Sequence, residues 1–269
     1  MNKEIYTIDS TVRAEIQSEL LRIAEDNNIR ILYACESGSR GWGFSSPDSD
    51  YDVRFIFLHP TSWYLSVLPQ DDGMDLFIDK ELDINGWDIR KVLRLLIKSN
   101  ATPFEWLQSP IVYQTDEDFK AALWSLSQHF FQARSSIHHY LGLSKNSFRK
   151  GVVNESEINI KKYFYVLRPL LAAMWIAEHK TAAPMTFADL MPALNPYPKI
   201  EEIVIDLWEQ KLQLNEKDNI RMIPELNEFV HKEIVKCYSI ADKIEETAVR
   251  TDMLDAFFRM VIQTYNGDY

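Results

Sequence analysis

Two cysteines in 269 residues are too few for a disulfide framework. Cys35 and Cys237 lie far apart and fit no metal-ligand spacing, so they read as reduced thiols in a cytoplasmic protein. There is no run of about 18 apolar residues, so no transmembrane helix is expected. The opening residues, MNKEIYTIDS, lack the apolar core of a signal peptide. Positive charge is scarce as well: 29 Lys and Arg stand against 40 Asp and Glu, a net charge of −11. A protein that grips long duplex nucleic acid over its whole surface is normally basic. This balance leaves nucleic acid only a local patch and favours a small-molecule or end-recognition role. Internal repeats and low-complexity segments are absent too.

What is present begins with a helix over residues 9–28. Val12, Ile16, Leu20 and Ile23 recur at helical spacing, and Asp9 or Ser10 can cap it. Arg30 to Cys35 is a short apolar run suited to a buried strand. Residues 36–49 hold three glycines and a proline and must be loop or very short helix. Asp52 to Leu58 forms a second strand. A short helix is expected over 62–68 and one or two strands over 74–84. Asn85 is placed to cap a helix from Trp87 to about Lys98. From about residue 117 helical periodicity dominates, with helices near 117–141, 157–179, 199–213, 224–248 and 250–264. Pro169 falls inside the second and is expected to kink it. The pattern divides into a mixed α/β part, 1–115, and an all-helical part, 116–269.

Gly38-Ser39, then ten residues, then Asp50-Tyr51-Asp52 is the constellation that carries chemistry. Carboxylates at i and i+2 on a strand point to one face. Mg²⁺ takes oxygen ligands, commonly one or two carboxylates plus substrate phosphates. Asp50 and Asp52 could thus hold metal ions at the start of the strand. A third carboxylate would complete the site. Asp83 is preferred because it lies at a strand end, opposite in parity to Leu82 and Ile84; Asp75 and Asp79 share its parity. Glycine lets a phosphate approach the backbone, and free N–H groups at a helix start can bind it. The Ser39 hydroxyl can donate to the same phosphate, and Arg40 either adds a charge there or faces solvent. The plain alternative is a polar turn between two strands, capped by Asp48, Ser49 and Asp50.

The same residues resemble the signature of the DNA polymerase β-like nucleotidyltransferase superfamily. Longer segments resemble one branch, the RNA repair pathway DNA polymerase β family: ESGSRGWGFSSPDSDYDVRFIF (36–57), LDINGWDIRKVLRLLIKSNATPFEWLQSPIVY (82–113) and, more loosely, KKYFYVLRPLLAAMWI (161–176). The resemblance implies an α+β fold, a small mixed sheet with flanking helices followed by a helical domain. It implies Asp50 and Asp52 as metal ligands, Asp83 as the third carboxylate that helps activate the attacking hydroxyl, and a nucleoside triphosphate with Mg²⁺ (or Mn²⁺) as donor. The family name points to an RNA end as acceptor.

Other residues have two readings each. Lys161, Tyr165 and Arg168 share one helix face at i, i+4 and i+7. They either bind nucleotide, with Tyr165 on a base and the cations on phosphates, or belong to a solvated face with Lys145, Arg149, Lys150 and Lys162. Asn100 either touches a base or ribose, or ends one helix as a C-cap, with Glu105 opening the next near Pro103. His138 and His139 point to different helix faces and read as non-ligands. Trp42 and Phe44 either pack beneath the glycine-rich loop or stack on the nucleotide. The leading expectation is an enzyme that moves a nucleoside monophosphate from an NTP, ATP among them, to an acceptor hydroxyl of RNA, a small molecule or a protein. The alternatives are an antitoxin-type protein adenylyltransferase and a non-catalytic nucleotide-binding protein.

Overall fold

The computed structural model describes residues 6–77, 81–154, 156–246 and 251–266. The chain divides into two compact units. One comprises Tyr6–Gly41, Asp50–Phe130 and Ala248–Tyr269; the other holds Trp42–Ser49 and Phe131–Thr247. Among the described residues no helix is long and apolar enough to cross a membrane.

The first unit is built on a five-stranded sheet. Its strands are β1 (Arg30–Glu36), β2 (Tyr51–Leu58), β3 (Gly73–Phe77), β4 (Leu82–Asp88) and β5 (Val112–Thr115), in the order β3-β4-β2-β1-β5. β2 and β4 run parallel, and the other neighbours are antiparallel. The sheet is therefore mixed, as the α+β expectation required. Helix α1 (Ser10–Asp26) is capped by Asp9, whose carboxylate accepts from the Thr11 and Val12 amides. Its buried Ile16, Leu20 and Ile23 join Val53, Phe55, Phe57 and Ile84 in one apolar cluster. That face of the sheet is sealed by hydrophobic burial, at about 25 cal/mol per Å² of apolar surface.

The opposite face is divided along its length. At the far ends of β2 and β4 it is apolar. Trp87 packs on Trp106 with ring centroids 4.2 Å apart, and helices α4 (Ile89–Ile97) and α5 (Ala101–Leu107) lie nearby. At the near ends it carries Asp52, Arg54, Asp83 and Asn85, all part-exposed. Short α2 (Gly38–Trp42) starts beside this polar half. Helix α6 (Glu117–Gln128) and the last helix of the chain, Asp252–Asn266, belong to this unit as well. Phe257 of that last helix meets Phe119, and Asn266 donates to the His59 carbonyl at 3.0 Å.

Several boundaries differ from the expectations. The 62–68 helix shrinks to α3 (Thr61–Tyr64). Asn85 is not a helix cap, and Trp87 is strand. The pairing of β4 with β2 runs on from Tyr51↔Leu82 to Phe57↔Asp88, so ladder bonds claim both residues. Asp88 caps α4 instead, accepting from the Arg90 amide at 2.8 Å. Asn100 is an N-cap rather than a C-cap: its side chain accepts from the Thr102 amide, and Glu105 lies buried inside α5.

The second unit is helical around α7 (Ala133–Gly151), α8 (Ile160–His179), α9 (Phe187–Leu190), α10 (Pro198–Gln213) and α11 (Pro224–Ala241). The last helix of the chain is α12 (Asp252–Asn266). The expected 117–141 helix is thus two helices, α6 and α7. The expected 157–179 helix begins instead with a three-residue strand, β6 (Glu157–Asn159), paired antiparallel with β7 (Asn219–Arg221). Helix α8 runs through Pro169. Both cysteines are free and buried.

Candidate functional site

The motif turn is shaped by Gly38. Its φ is +56°, a region L side chains rarely adopt. A Cβ on Gly38 would also stand 1.8 Å from Asp52 Oδ2. Glycine is thus required twice, by its backbone angle and by the carboxylate lying against it. The Ser37 amide donates to the Asp52 carbonyl at 2.8 Å, and the Gly41 amide to the Ser37 carbonyl at 3.0 Å. Ser39 is buried in the short helix. Arg40 reaches back over the motif: its guanidinium lies 4.0 Å from the Tyr51 ring centroid, and its Nε donates to the Asp50 carbonyl. Arg40 therefore clasps the start of β2.

Asp52 and Asp83 are direct partners in the parallel register. Arg54, two residues along β2 and on the same face, bridges them. Its Nη2 donates to Asp52 Oδ1 and to Asp83 Oδ2, each at 2.8 Å. Its Nη1 donates to the Val53 and Asp83 carbonyls at 3.0 and 3.1 Å. Neighbouring like charges on adjacent strands repel, so a cation between them is what this arrangement calls for. The Asp52–Asp83 pair fits a hard divalent ion in donor type and convergence. Asp50 is exposed just ahead of β2. Among the described residues no group of three or more His, Cys, Asp or Glu gathers for a metal. Asp75 pairs through its carboxylate with Asn85, and Asp79 lies outside the described residues. Arg54 went unnoticed from sequence, although its parity with Asp52 was the available signal.

Behind the motif sits a second acid that the sequence did not announce. Glu36 ends β1 and is fully buried. Its Oε1 accepts from the Asp52 amide at 2.8 Å and its Oε2 from the Tyr113 hydroxyl at 2.6 Å. Burial pushes its carboxyl up to about 7, against the opposing pull of those hydrogen bonds. Glu36 thereby fixes the backbone that presents Asp52. Its only sequence signal was a charged residue closing an apolar strand.

Lys161, Tyr165 and Arg168 lie on α8 in the helical unit, which also includes the loop residues 42–49. Arg168 is 2% exposed. Its Nη2 donates to the Met185 carbonyl at 3.0 Å, and its guanidinium lies over the Trp42 and Tyr140 rings. Tyr165 meets the Trp42 ring edge-on. Lys161 is paired with Glu216, whose other oxygen accepts from the Ser49 hydroxyl at 2.9 Å. Buried Lys211 bonds the Ser46 hydroxyl, and Trp208 Nε1 donates to the Gly43 carbonyl. Phe44 is fully buried against Phe164 and Phe187. Trp42 and Phe44 therefore pack. His138 lies 3.7 Å from Asp242.

A small mixed sheet with two carboxylates in register at its strand starts, beside a glycine-led turn and helix, has the layout of a nucleotidyltransferase-like protein. The chain belongs to the RNA repair pathway DNA polymerase beta family, whose model matches residues 12–260. It is 38% identical over 253 residues to the uncharacterized protein YcgL of Bacillus subtilis (strain 168), a match that covers 94% of this chain and 96% of that one. A solved nucleotidyltransferase-like protein from Exiguobacterium sibiricum 255-15 matches 93% of this chain and 81% of its own, at 12% identity and a TM-score of 0.31.

Proposed function

We propose that this chain moves a nucleoside monophosphate from an NTP to an acceptor hydroxyl, with Mg²⁺ or Mn²⁺, and that the acceptor is an RNA end. The family supports nucleotidyl transfer in general. The observation that carries the finer reading is the convergence of Asp52 and Asp83 on one cationic nitrogen beside Gly38. In this reading the acceptor oxygen forms a bond to the α-phosphorus as the bond to the β-phosphate oxygen breaks, and pyrophosphate leaves. The proton passes from the acceptor to Asp83. Asp50, Asp52 and Asp83 would hold the metal, and Gly38-Ser39 receive the triphosphate. A bound divalent ion would neutralise phosphate charge and orient the α-phosphorus. The chemistry is assigned to residues 1–115, which carry Gly38, Ser39, Asp50, Asp52 and Asp83, with 116–269 as a helical domain. Two buried free thiols suit a cytoplasmic setting.

The test incubates the protein with each labelled NTP, Mg²⁺ or Mn²⁺, and a panel of RNA ends, small acceptors and protein. Asp52→Asn and Asp83→Asn should each lower transfer by at least about a hundredfold while the fold melts normally. Transfer that persists unchanged in both variants would remove the mechanism. Label on protein rather than RNA would reassign the acceptor and favour adenylylation. Metal-dependent nucleotide binding without transfer to any acceptor would leave a nucleotide-binding protein.

A further inference from the structure

Arg54 adds something to this site that a set of carboxylates does not. Its side chain is 17% exposed, against 27% for Asp52 and 33% for Asp83, so the cation sits deeper than the anions it joins. One nitrogen, Nη2, takes an oxygen from each carboxylate at the same 2.8 Å. A cation shared by those two oxygens would stand where Nη2 stands. Oxygen–Mg²⁺ distances are about 2.0–2.1 Å, so a guanidinium nitrogen and a bridging ion have no room together. The other nitrogen, Nη1, is held on two backbone carbonyls, those of Val53 and Asp83. These bonds need nothing from the carboxylates. The guanidinium is a rigid plane, so Nη2 leaves the carboxylates only when the whole group pivots on the Nη1 bonds by rotation of the side-chain torsions.

Resting on the metal-dependent reading above, we propose that Arg54 is the resident cation of the Asp52–Asp83 pair, and that its Nη2 yields that place when the pair takes a divalent ion. Arg54 is then a positioning residue with two effects of opposite sign. It holds the two like charges together in the metal-free protein, and it competes with the ion for the same oxygens. Removing it lowers the stability of the metal-free protein and raises its affinity for the ion. An arginine serving the fold alone would lower stability equally with and without metal.

The experiment uses the full chain and Mn²⁺ as the probe. Thermal unfolding is followed in chelator and across a Mn²⁺ titration, and free Mn²⁺ is read by its paramagnetic resonance signal. The proteins are wild type, Arg54→Met, Arg54→Lys and the double variant Arg54→Met/Asp52→Asn. Arg54→Met should melt lower than wild type in chelator, bind Mn²⁺ roughly tenfold tighter, equivalent to about 1.4 kcal/mol, and gain more in melting temperature from the ion. Arg54→Lys keeps a charge but loses the Nη1 anchor. It should fall between the two, and it carries the test if the Met variant does not fold. The double variant should lose the added affinity, which places the ion on this pair. Equal or weaker Mn²⁺ binding in both Arg54 variants overturns the proposal and leaves the metal reading standing. No Mn²⁺ binding by any of the proteins overturns the metal reading and this inference with it.

Discussion

In the sheet unit the charged side chains of β2 and β4 gather on one part-exposed patch, with Arg54 as cation between Asp52 and Asp83. In the helical unit the conspicuous cations are spent inward. Arg168 is enclosed by two aromatic rings and a carbonyl, Lys211 is buried on Ser46, and Lys161 is paired with Glu216. From sequence, Lys161 and Arg168 stand out by their helical spacing, whereas Arg54 and Lys211 do not. The two units differ in what the surrounding residues leave accessible. A carboxylate pair a quarter to a third exposed can exchange its cation with solvent ions. A guanidinium 2% exposed cannot take a phosphate without losing its packing.

The sharpest way to break that comparison is Arg168→Met. Methionine preserves much of the volume but leaves the Met185 carbonyl without its donor and the Trp42 and Tyr140 faces without their cation. Loss of a buried hydrogen bond to a charged group and of desolvated cation–π contacts should cost about 2–4 kcal/mol. Thermal or denaturant melting should show this, with NTP affinity of the folded protein nearly unchanged. A variant that melts like wild type but binds NTP tenfold more weakly would return Arg168 to the phosphate-binding role its spacing suggested.

The spacing was legible where local rules and tertiary demands agree. The 3.6-residue recurrence of Ile16, Leu20 and Ile23 and the Asp9 cap delivered α1 almost to its ends. The i, i+2 rule was applied to Asp50 and Asp52, but Asp50 lies just ahead of β2, and Asp83 stands second in β4 rather than at a strand end, where strand pairing sets it opposite Asp52. It failed where a long-range partner decides. Asn85 and Trp87 read as a cap and a first helical turn because nothing local reveals that β2 will pair them into a ladder. Strands of three residues, β6 and β7, are too short to show a period. The break between α6 and α7, at 129–132, contains neither proline nor glycine. Contacts that join 42–49 to Phe164, Phe187, Trp208 and Lys211 span more than a hundred positions, and no motif carries them.

Glu36 extends the comparison into the sheet unit, where one acid is as deeply buried as any cation of the helical unit. Its carboxyl titrates near 7 when folded against an ordinary value of 4.5. A raised value means the folded state holds the proton more tightly. The associated stability is therefore complete below about 4.5 and is lost as pH rises through 7. The full swing is on the order of 3 kcal/mol. Glu36→Gln cannot titrate. The melting temperature of wild type relative to that variant should fall steadily from pH 4.5 to 7.5. A difference that grows with pH, or stays flat, would mean that Glu36 is held ionised in the fold, and that the buried anion behind Asp52 is stabilised by more than Tyr113 and one amide.

The smallest effect concerns Asn100, where a cap and a ligand contact compete for one side chain. Its Oδ1 accepts from the Thr102 amide at 2.9 Å at the start of α5, and the preceding Ser99 holds a left-handed φ of 47°. An N-cap contributes about 1 kcal/mol over alanine, and serine or aspartate supplies the same acceptor nearly as well. Asn100→Ala should therefore lower stability by about that amount, while Asn100→Ser and Asn100→Asp stay close to wild type. All three should leave the preference among NTPs unchanged. A side chain reading a base would behave differently, because the amide donor is lost in all three replacements. Each would then shift NTP preference regardless of how well it caps. Melting curves and a competition assay with the four NTPs separate the outcomes, and a preference that follows the lost donor while stability follows the retained acceptor would show Asn100 doing both.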